Sequence, residues 1–379
     1  MNKKYRFHLL GLAHLPVSEK YPSCAFTQKV VKFSKMMMSL GHEVFIYGAE
    51  GSDAPCTKFY QTHTLEDIRK QWGEGDDRFE IGYNFEEREF KYSTLGQSFV
   101  DKKMHDAVVR LINENKKEDD FLIVTMGGYY KLIAEKVKLF LTVENGVAYD
   151  GSFAKFRAFE SAQAQNYNYG MEEERTKKTK LGSFYDRVIP NYFDPKNHLF
   201  QPQKQDYFLY LGRIIPSKGI NIAVRVTKEI GAKLIVAGQG RFETTEKHVE
   251  FVGFANIEKR KKLMADAKGF FYPTMYVEPF GGAAVEAMLS GTPIITTDFG
   301  VYPEYNINGV TGWRCNTFQE FVDAAKNVGK LDPYKIRNHA ERYLMENVRF
   351  EFQKWFDDVY SVYETSKGIK KDWFFLKNK

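Results

Sequence analysis

Cysteine is nearly absent from this 379-residue chain: Cys24, Cys56 and Cys315 stand far apart and are odd in number. No Cys-x-x-Cys pair exists, so neither a zinc cluster nor a disulfide framework is indicated, and free thiols in a reducing compartment are expected. Long apolar runs are missing too, and none approaches the roughly 20 residues that span a bilayer. The basic start (Lys3, Lys4, Arg6) leads into a stretch broken by His8, His14 and Pro16, so it reads as a first strand and not as a signal peptide. The expectation is a cytoplasmic protein without a transmembrane segment, able at most to touch a membrane surface. There is no dense basic stripe. A formal net charge of +6 suits a protein that handles anionic ligands such as nucleotides and is too weak for a nucleic-acid binder. No short-period repeat and no low-complexity tract interrupts the chain.

What is present is apolar material for two cores: 43 % hydrophobic and 16 % aromatic residues. At roughly 100–200 residues per domain, two domains follow. Strand-like and helix-like segments alternate, the pattern of βαβ units and parallel sheets. In the first half, strands are expected at 5–11, 44–47, 121–125, 138–143 and 187–189, with helices at 25–40, 97–115 and 154–165. Gly41 stops the first helix. Residues 49–91 carry no clear period, and the charged run 171–180 reads as an exposed, mobile face. A second βαβ series starts at Tyr207, with strands at 207–211, 233–237, 249–252, 269–272 and 294–297. Its helices fall at 220–230, 257–267, 282–289, 318–328 and 333–342, and an amphipathic stretch closes at 349–363. Pro195, Pro202 and polar residues mark the boundary. The expected domains are therefore 1–190 with 350–379, and 191–349.

The strongest chemical signal is Glu278-Pro-Phe-Gly-Gly-Ala-Ala-Val-Glu286, which runs from a strand into a helix. Phe280, Gly281, Gly282 and Ala283 occupy the helix start. Glycines there let backbone N–H groups approach a ligand, and those first-turn groups sit at the positive end of the helix dipole. That is a seat for a diphosphate. The flanking carboxylates can accept hydrogen bonds from paired sugar hydroxyls. A second signal is Gly212-Arg213 and Lys218-Gly219, after the strand 207–211, at the sheet edge where ligands bind in open α/β folds. Arg213 can fork onto a phosphate, and Lys218 can act as a point charge. Gly238-Gln-Gly240 is a tight turn that lacks the third glycine of a dinucleotide fingerprint, since Glu243 stands there. Phe254, after Gly253, could lie beside a base.

Together with Pro190-Asn191-Tyr-Phe-Asp194, Gly41-His-Glu-Val44 and Ser290-Gly-Thr-Pro293, these stretches resemble glycosyltransferase family 4. Cys24-Ala-Phe-Thr27 and Val277-Glu-Pro-Phe-Gly-Gly282 also look like a subgroup seen in viral and bacterial genomes. The resemblance implies the α/β GT-B fold: two Rossmann-like domains with a cleft between them and a C-terminal helix crossing back to the first, acceptor-side domain. It implies a hexosyltransferase that retains anomeric configuration, with no metal and no cofactor beyond a nucleotide-diphosphate sugar as co-substrate. A UDP sugar is expected from family frequency, with a GDP sugar as the alternative. On this reading Arg213 and Lys218 hold the diphosphate and stabilise its growing charge. Glu278 contacts the donor sugar and Glu286 the ribose. Gly212, Gly238, Phe254 and the 280–283 turn line the donor. Two departures stand out. Tyr21-Pro-Ser-Cys24 replaces the family's Gly-Gly loop, and Glu144 or Asn145 stands where the family carries a histidine near the reacting sugar, so Glu144 is expected to take that catalytic place.

Other readings are a GT-B-fold epimerase or phosphorylase, and a non-catalytic nucleotide-sugar binder. The acceptor is open between a saccharide, a lipid-linked group and a modified nucleobase. Phe153, Lys155, Phe156, Arg157 and Phe159 read as a helix packing its aromatics inward rather than as an acceptor surface. The basic, aromatic tail 369–379 could rest on anionic lipid, though packing on the first domain is favoured.

Overall fold

The computed structural model describes residues 3–22, 24–72, 98–177 and 183–368. From the start the chain forms β1 (Arg6–Leu10), α1 (Ala25–Ser39), β2 (Glu43–Ala49), β3 (Lys58–His63), α2 (Leu65–Trp72), α3 (Phe99–Asn115) and β4 (Phe121–Val124). Then come α4 (Lys131–Val137), β5 (Leu141–Val147), β6 (Phe156–Phe159), α5 (Ala162–Thr176) and β7 (Arg187–Val188). The second half holds β8 (Gln205–Leu211), α6 (Ile220–Glu229), β9 (Leu234–Ala237), β10 (Val249–Phe251), α7 (Ile257–Asp266), β11 (Ala267–Tyr272) and α8 (Gly282–Leu289). It closes with β12 (Ile294–Thr297), α9 (Tyr302–Tyr305), β13 (Gly312–Cys315), α10 (Phe318–Asn327), α11 (Pro333–Ala340) and α12 (Met345–Ser366).

Two sheets result, ordered β3-β2-β1-β4-β5-β6-β7 and β10-β9-β8-β11-β12-β13. Every pairing in both is parallel. The runs FLIV of β4 and LIVA of β9 are buried throughout, as strands covered on both faces must be. Each sheet reverses its strand order once, at β1/β4 and at β8/β11. Those are the switch points outside whose strand carboxyl ends such sheets bind ligands. The architecture is the expected α/β pair of Rossmann-like domains. Contacts divide the chain into two compact units, one of the described residues up to Pro190 with those from Val348 onward, the other Asn191–Asn347.

Local chemistry sets the helix ends. Ser98 and Asp101 form a capping box on α3, and Thr317 and Glu320 form one on α10. Asn256 caps α7, and Asp332 with Pro333 starts α11. From Val348 onward α12 belongs to the first unit. Val348, Phe352, Phe356, Val359 and Tyr363 recur on one buried face, with Phe356 4.7 Å from Phe7 of β1.

The structure departs from the sequence-based expectation in several segments. Residues 154–165 are not one helix: β6 occupies 156–159, and α5 starts only at Ala162. Phe156 and Phe159 stand three apart and mimic a helical period. Arg157 between them is buried against Asp186 (Nη2–Oδ2 2.7 Å) and Glu172, so its charge does not mark a wet face. The strand expected at 138–143 begins at Leu141 and runs to Val147, after Lys138 ends α4 with a left-handed backbone (φ 55°). The unassigned stretch 49–91 contains β3 and α2. β13 and α9 carried no expectation. Residues 171–176 are the last turns of α5, while the rest of that run from 178 and the tail 369–379 lie outside the described residues. Among the described residues no helix is long and apolar enough to cross a membrane.

Candidate donor site in the second unit

Three loops meet at the carboxyl edge of the second sheet. Gly212 N donates to Ala237 O (3.1 Å) and Ile214 N to Gln239 O (2.8 Å), tying the loop after β8 to the loop after β9. Gly238 N donates to Gly253 O (2.9 Å), which brings in the loop after β10 that carries half-buried Phe254. The approach is so close that a Cβ on Gly238 would lie 1.7 Å from Gly212 O. The same loop after β8 ends at Gly219, whose φ is +71° and whose Cβ would lie 2.0 Å from Pro273 O, the first residue beyond β11. Only glycine fits there, and this contact fixes Lys218 beside the loop that follows β11.

That second loop, 273–281, carries Glu278. Lys218 Nζ lies 2.8 Å from Glu278 Oε2 and donates to Tyr272 OH at 3.1 Å. Tyr276 OH donates to the same Glu278 Oε2 at 2.6 Å, and Tyr272 OH reaches it at 3.4 Å. The ammonium also stands 4.7 Å from the Tyr276 ring centre and 5.0 Å from that of Tyr272. Both partners of the ion pair are 7 % exposed. Burial draws the Lys218 ammonium below the usual lysine range; Glu278 opposes that shift, and the neighbouring charge of exposed Arg213 adds to it. Burial, and after it the Glu278 carboxylate, push the Tyr276 phenol far up, so it remains a proton donor. Removing two charges from water costs several kcal/mol per ion, so a buried pair is weak evidence for stability. Its place at a switch point makes it a functional candidate.

Beyond Glu278 the chain turns through Gly281 into α8, whose first residues, Gly282 and Ala283, are partly open to solvent. Glu278 itself is braced from the loop after β12, where Val301 N donates to Glu278 O at 3.1 Å. Phe280 does not line this opening. It is 4 % exposed and sits in the core among Phe193, Tyr305 and Tyr343. The turn needs a large apolar anchor to hold the glycines in place, and Phe280 is that anchor. Glu286 lies one turn further along α8, where its Oε2 pairs with Arg260 of α7. Tyr272, Tyr276 and Arg260 carried no expectation. The one signal for Tyr276 is its place two residues before Glu278.

Glu144 lies in the first unit and is taken up elsewhere. It sits inside β5 with 0 % exposure. Its Oε1 accepts from Phe153 N and from Ala154 N (2.6 Å), and its Oε2 accepts from Tyr149 OH (3.1 Å). Burial raises its pKa. A carboxylate closed off in this way organises the 149–154 turn and has no free face for a sugar, so the expected catalytic place is corrected to a structural one. In the loop that departs from Gly-Gly, Cys24 Sγ lies 3.6 Å from His14 Nε2, and Cys24, Cys56 and Cys315 are all free thiols.

Residues 194–333 match the family model described as glycosyl transferases group 1. The matched stretch makes up most of the second unit. An uncharacterized glycosyltransferase of Methanocaldococcus jannaschii is 28 % identical over 184 residues, 40 % of this chain and 47 % of that protein. The chain thus spans about half the length of the curated relatives it matches. Among solved structures, a glycosyltransferase involved in avilamycin A biosynthesis superposes with a TM-score of 0.66 at 18 % identity, covering 94 % of this chain and 98 % of that one. HepE of Anabaena, solved in complex with UDP-glucose, gives 0.62 at 14 % identity, covering 93 % and 99 %. The fold is GT-B.

Proposed function

We propose that the chain transfers a hexose from a nucleotide-diphosphate sugar to an acceptor, with retention and without a metal, the second unit holding the donor and the first the acceptor. The observation that carries this reading is the buried Lys218–Glu278 pair, with Arg213 beside it, at the β8/β11 switch point and the start of α8. Arg213, Lys218 and the first-turn amides of α8 supply positive potential where a leaving diphosphate gathers charge. The bond from the anomeric carbon to the diphosphate breaks, and its electron pair stays on the phosphate oxygen. The acceptor oxygen bonds to that carbon on the same face and passes its proton to the departing oxygen. Glu278 orients the sugar through its hydroxyls. The likeness of HepE, solved with UDP-glucose, supports uridine as the base.

Thermal unfolding with UDP, GDP, ADP and TDP sugars, with and without Mg²⁺, tests the reading. A donor at about 100 times its dissociation constant adds about 2.7 kcal/mol of stability. One base class is expected to raise the melting temperature equally with and without Mg²⁺ and to release nucleotide when acceptor is supplied. No stabilisation by any donor would overturn the assignment.

A further inference from the structure

We propose that Tyr276 is a positioning residue that holds the Glu278 carboxylate when Lys218 is drawn onto a diphosphate. This rests on the donor-site reading above. Three groups converge on one oxygen: Lys218 Nζ at 2.8 Å, Tyr276 OH at 2.6 Å and, more loosely, Tyr272 OH at 3.4 Å from Glu278 Oε2. Lys218 therefore has two competing anionic partners once a diphosphate arrives, and it cannot serve the second at full strength without loosening its hold on the first. A carboxylate at 7 % exposure that loses its cation is costly to leave bare. Tyr276 lessens that cost. Its phenol is the shortest contact on Oε2, it carries no charge for the diphosphate to repel or attract, and it stays protonated because burial and Glu278 raise its pKa.

The local structure suits this role. Met275 and Val277, on either side of Tyr276, are 55 % and 50 % exposed, so the loop turns Tyr276 alone of the three inward. Met275 N donates to Ser217 O at 2.8 Å, which pins the Tyr276 loop to the residue before Lys218. Tyr276 and Lys218 are thus held in register by backbone, while their side chains share one carboxylate. The Lys218 ammonium lies 4.7 Å from the Tyr276 ring centre, so the ring also flanks the ammonium. Tyr272, the other phenol, ends β11 deep in the core, and its hydroxyl is already engaged by Lys218, which leaves it a poor substitute.

The test is a double-mutant cycle read by isothermal titration of the full chain with UDP and with inorganic pyrophosphate. Tyr276→Phe is expected to weaken both ligands about tenfold, the worth of one hydrogen bond to a buried charge. Glu278→Gln, which frees Lys218 and removes the charge Tyr276 holds, should bind both at least as tightly as the wild type. In that background Tyr276→Phe should change nothing, because its effect runs through Glu278. Equal binding by the wild type and Tyr276→Phe overturns the proposal. So does an equal loss in both backgrounds, which would mean the hydroxyl acts without Glu278. A wild type that binds neither UDP nor pyrophosphate overturns the donor-site reading itself and the proposal with it, and this outcome is distinct from the other two.

Discussion

Lys218 Nζ and Glu278 Oε2 stand 2.8 Å apart, joining the loop after β8 to the loop after β11 through a pair that water scarcely reaches. Breaking one side strands the other. Lys218→Met is expected to cost about 3 kcal/mol of stability by urea unfolding, because Glu278 is left buried with only phenols for partners. Lys218→Met combined with Glu278→Gln should cost clearly less than the sum of the two single changes. Both single variants should lose transfer activity. Strict additivity would show that the pair is not coupled in solution.

The glycines that frame these loops make a second prediction. A methyl on Gly219 would meet Pro273 O at 2.0 Å, and one on Gly238 would meet Gly212 O at 1.7 Å, backbone against backbone with no flexible end to move. Gly231 has a φ of +63°, close to the +71° of Gly219, with nothing within 4 Å, so beside Gly219 it isolates the conformational penalty from the steric one. Gly231→Ala should cost about 1 kcal/mol. Gly219→Ala and Gly238→Ala should each cost about 3 kcal/mol or more and should spoil donor binding as well. Three variants of equal stability would contradict the close approach.

How far the sequence reveals this arrangement depends on where its chemistry lies. The second unit is legible because its signals are local. Glycines stand where backbone must approach backbone, and charged residues stand directly after apolar strands, so α8 and β12 fall at the expected residues. The first unit hides its polar groups inside. Arg157 looks like a surface cation and is a core partner of Asp186, which turned the reading of β6 toward helix. Glu144-Asn145-Gly146 looks like a loop and is strand, because amides ten residues on satisfy the carboxylate. Lys218 and Glu278 are each visible as candidates. Their mutual pairing is not, since 60 residues separate them and only the parallel β8–β11 contact brings them together. Tyr276 gains its meaning from that pairing alone.

Glu144 itself yields a third prediction. Its Oε1 accepts from two backbone amides, Phe153 and Ala154. Glu144→Gln keeps an oxygen for those amides and should leave activity and fold largely intact, a loss of about 1 kcal/mol at most. Glu144→Ala leaves two buried N–H groups without an acceptor and should cost about 3 kcal/mol by denaturant unfolding. Loss of turnover in Glu144→Gln at undiminished stability would return this residue to the chemistry.

His42 gives the first unit one source of pH dependence, beside His63 and His105, whose pKa values burial also lowers. His42 is 3 % exposed, packs against the rings of Tyr5 and Phe7, and accepts from Tyr5 N at Nδ1 (3.1 Å). An imidazole that accepts at Nδ1 must be neutral there, and burial, helped by the charge of Lys4, pulls its pKa from 6.5 down to about 4. The folded value therefore lies below the unfolded one. Between the two, the unfolded chain binds more protons, so stability is complete above about pH 6.5 and drains away as pH falls toward 4. At about 1.36 kcal/mol per unit, the loss approaches 3 kcal/mol by the bottom of that window. Carboxylates also titrate there, so the comparison is with His42→Asn, whose side-chain oxygen can still accept from Tyr5 N but does not titrate. The wild type should lose stability more steeply than His42→Asn between pH 6.5 and 4, with parallel curves above pH 7. Parallel curves throughout would mean that His42 is protonated in the folded protein, and that Tyr5 N has another acceptor.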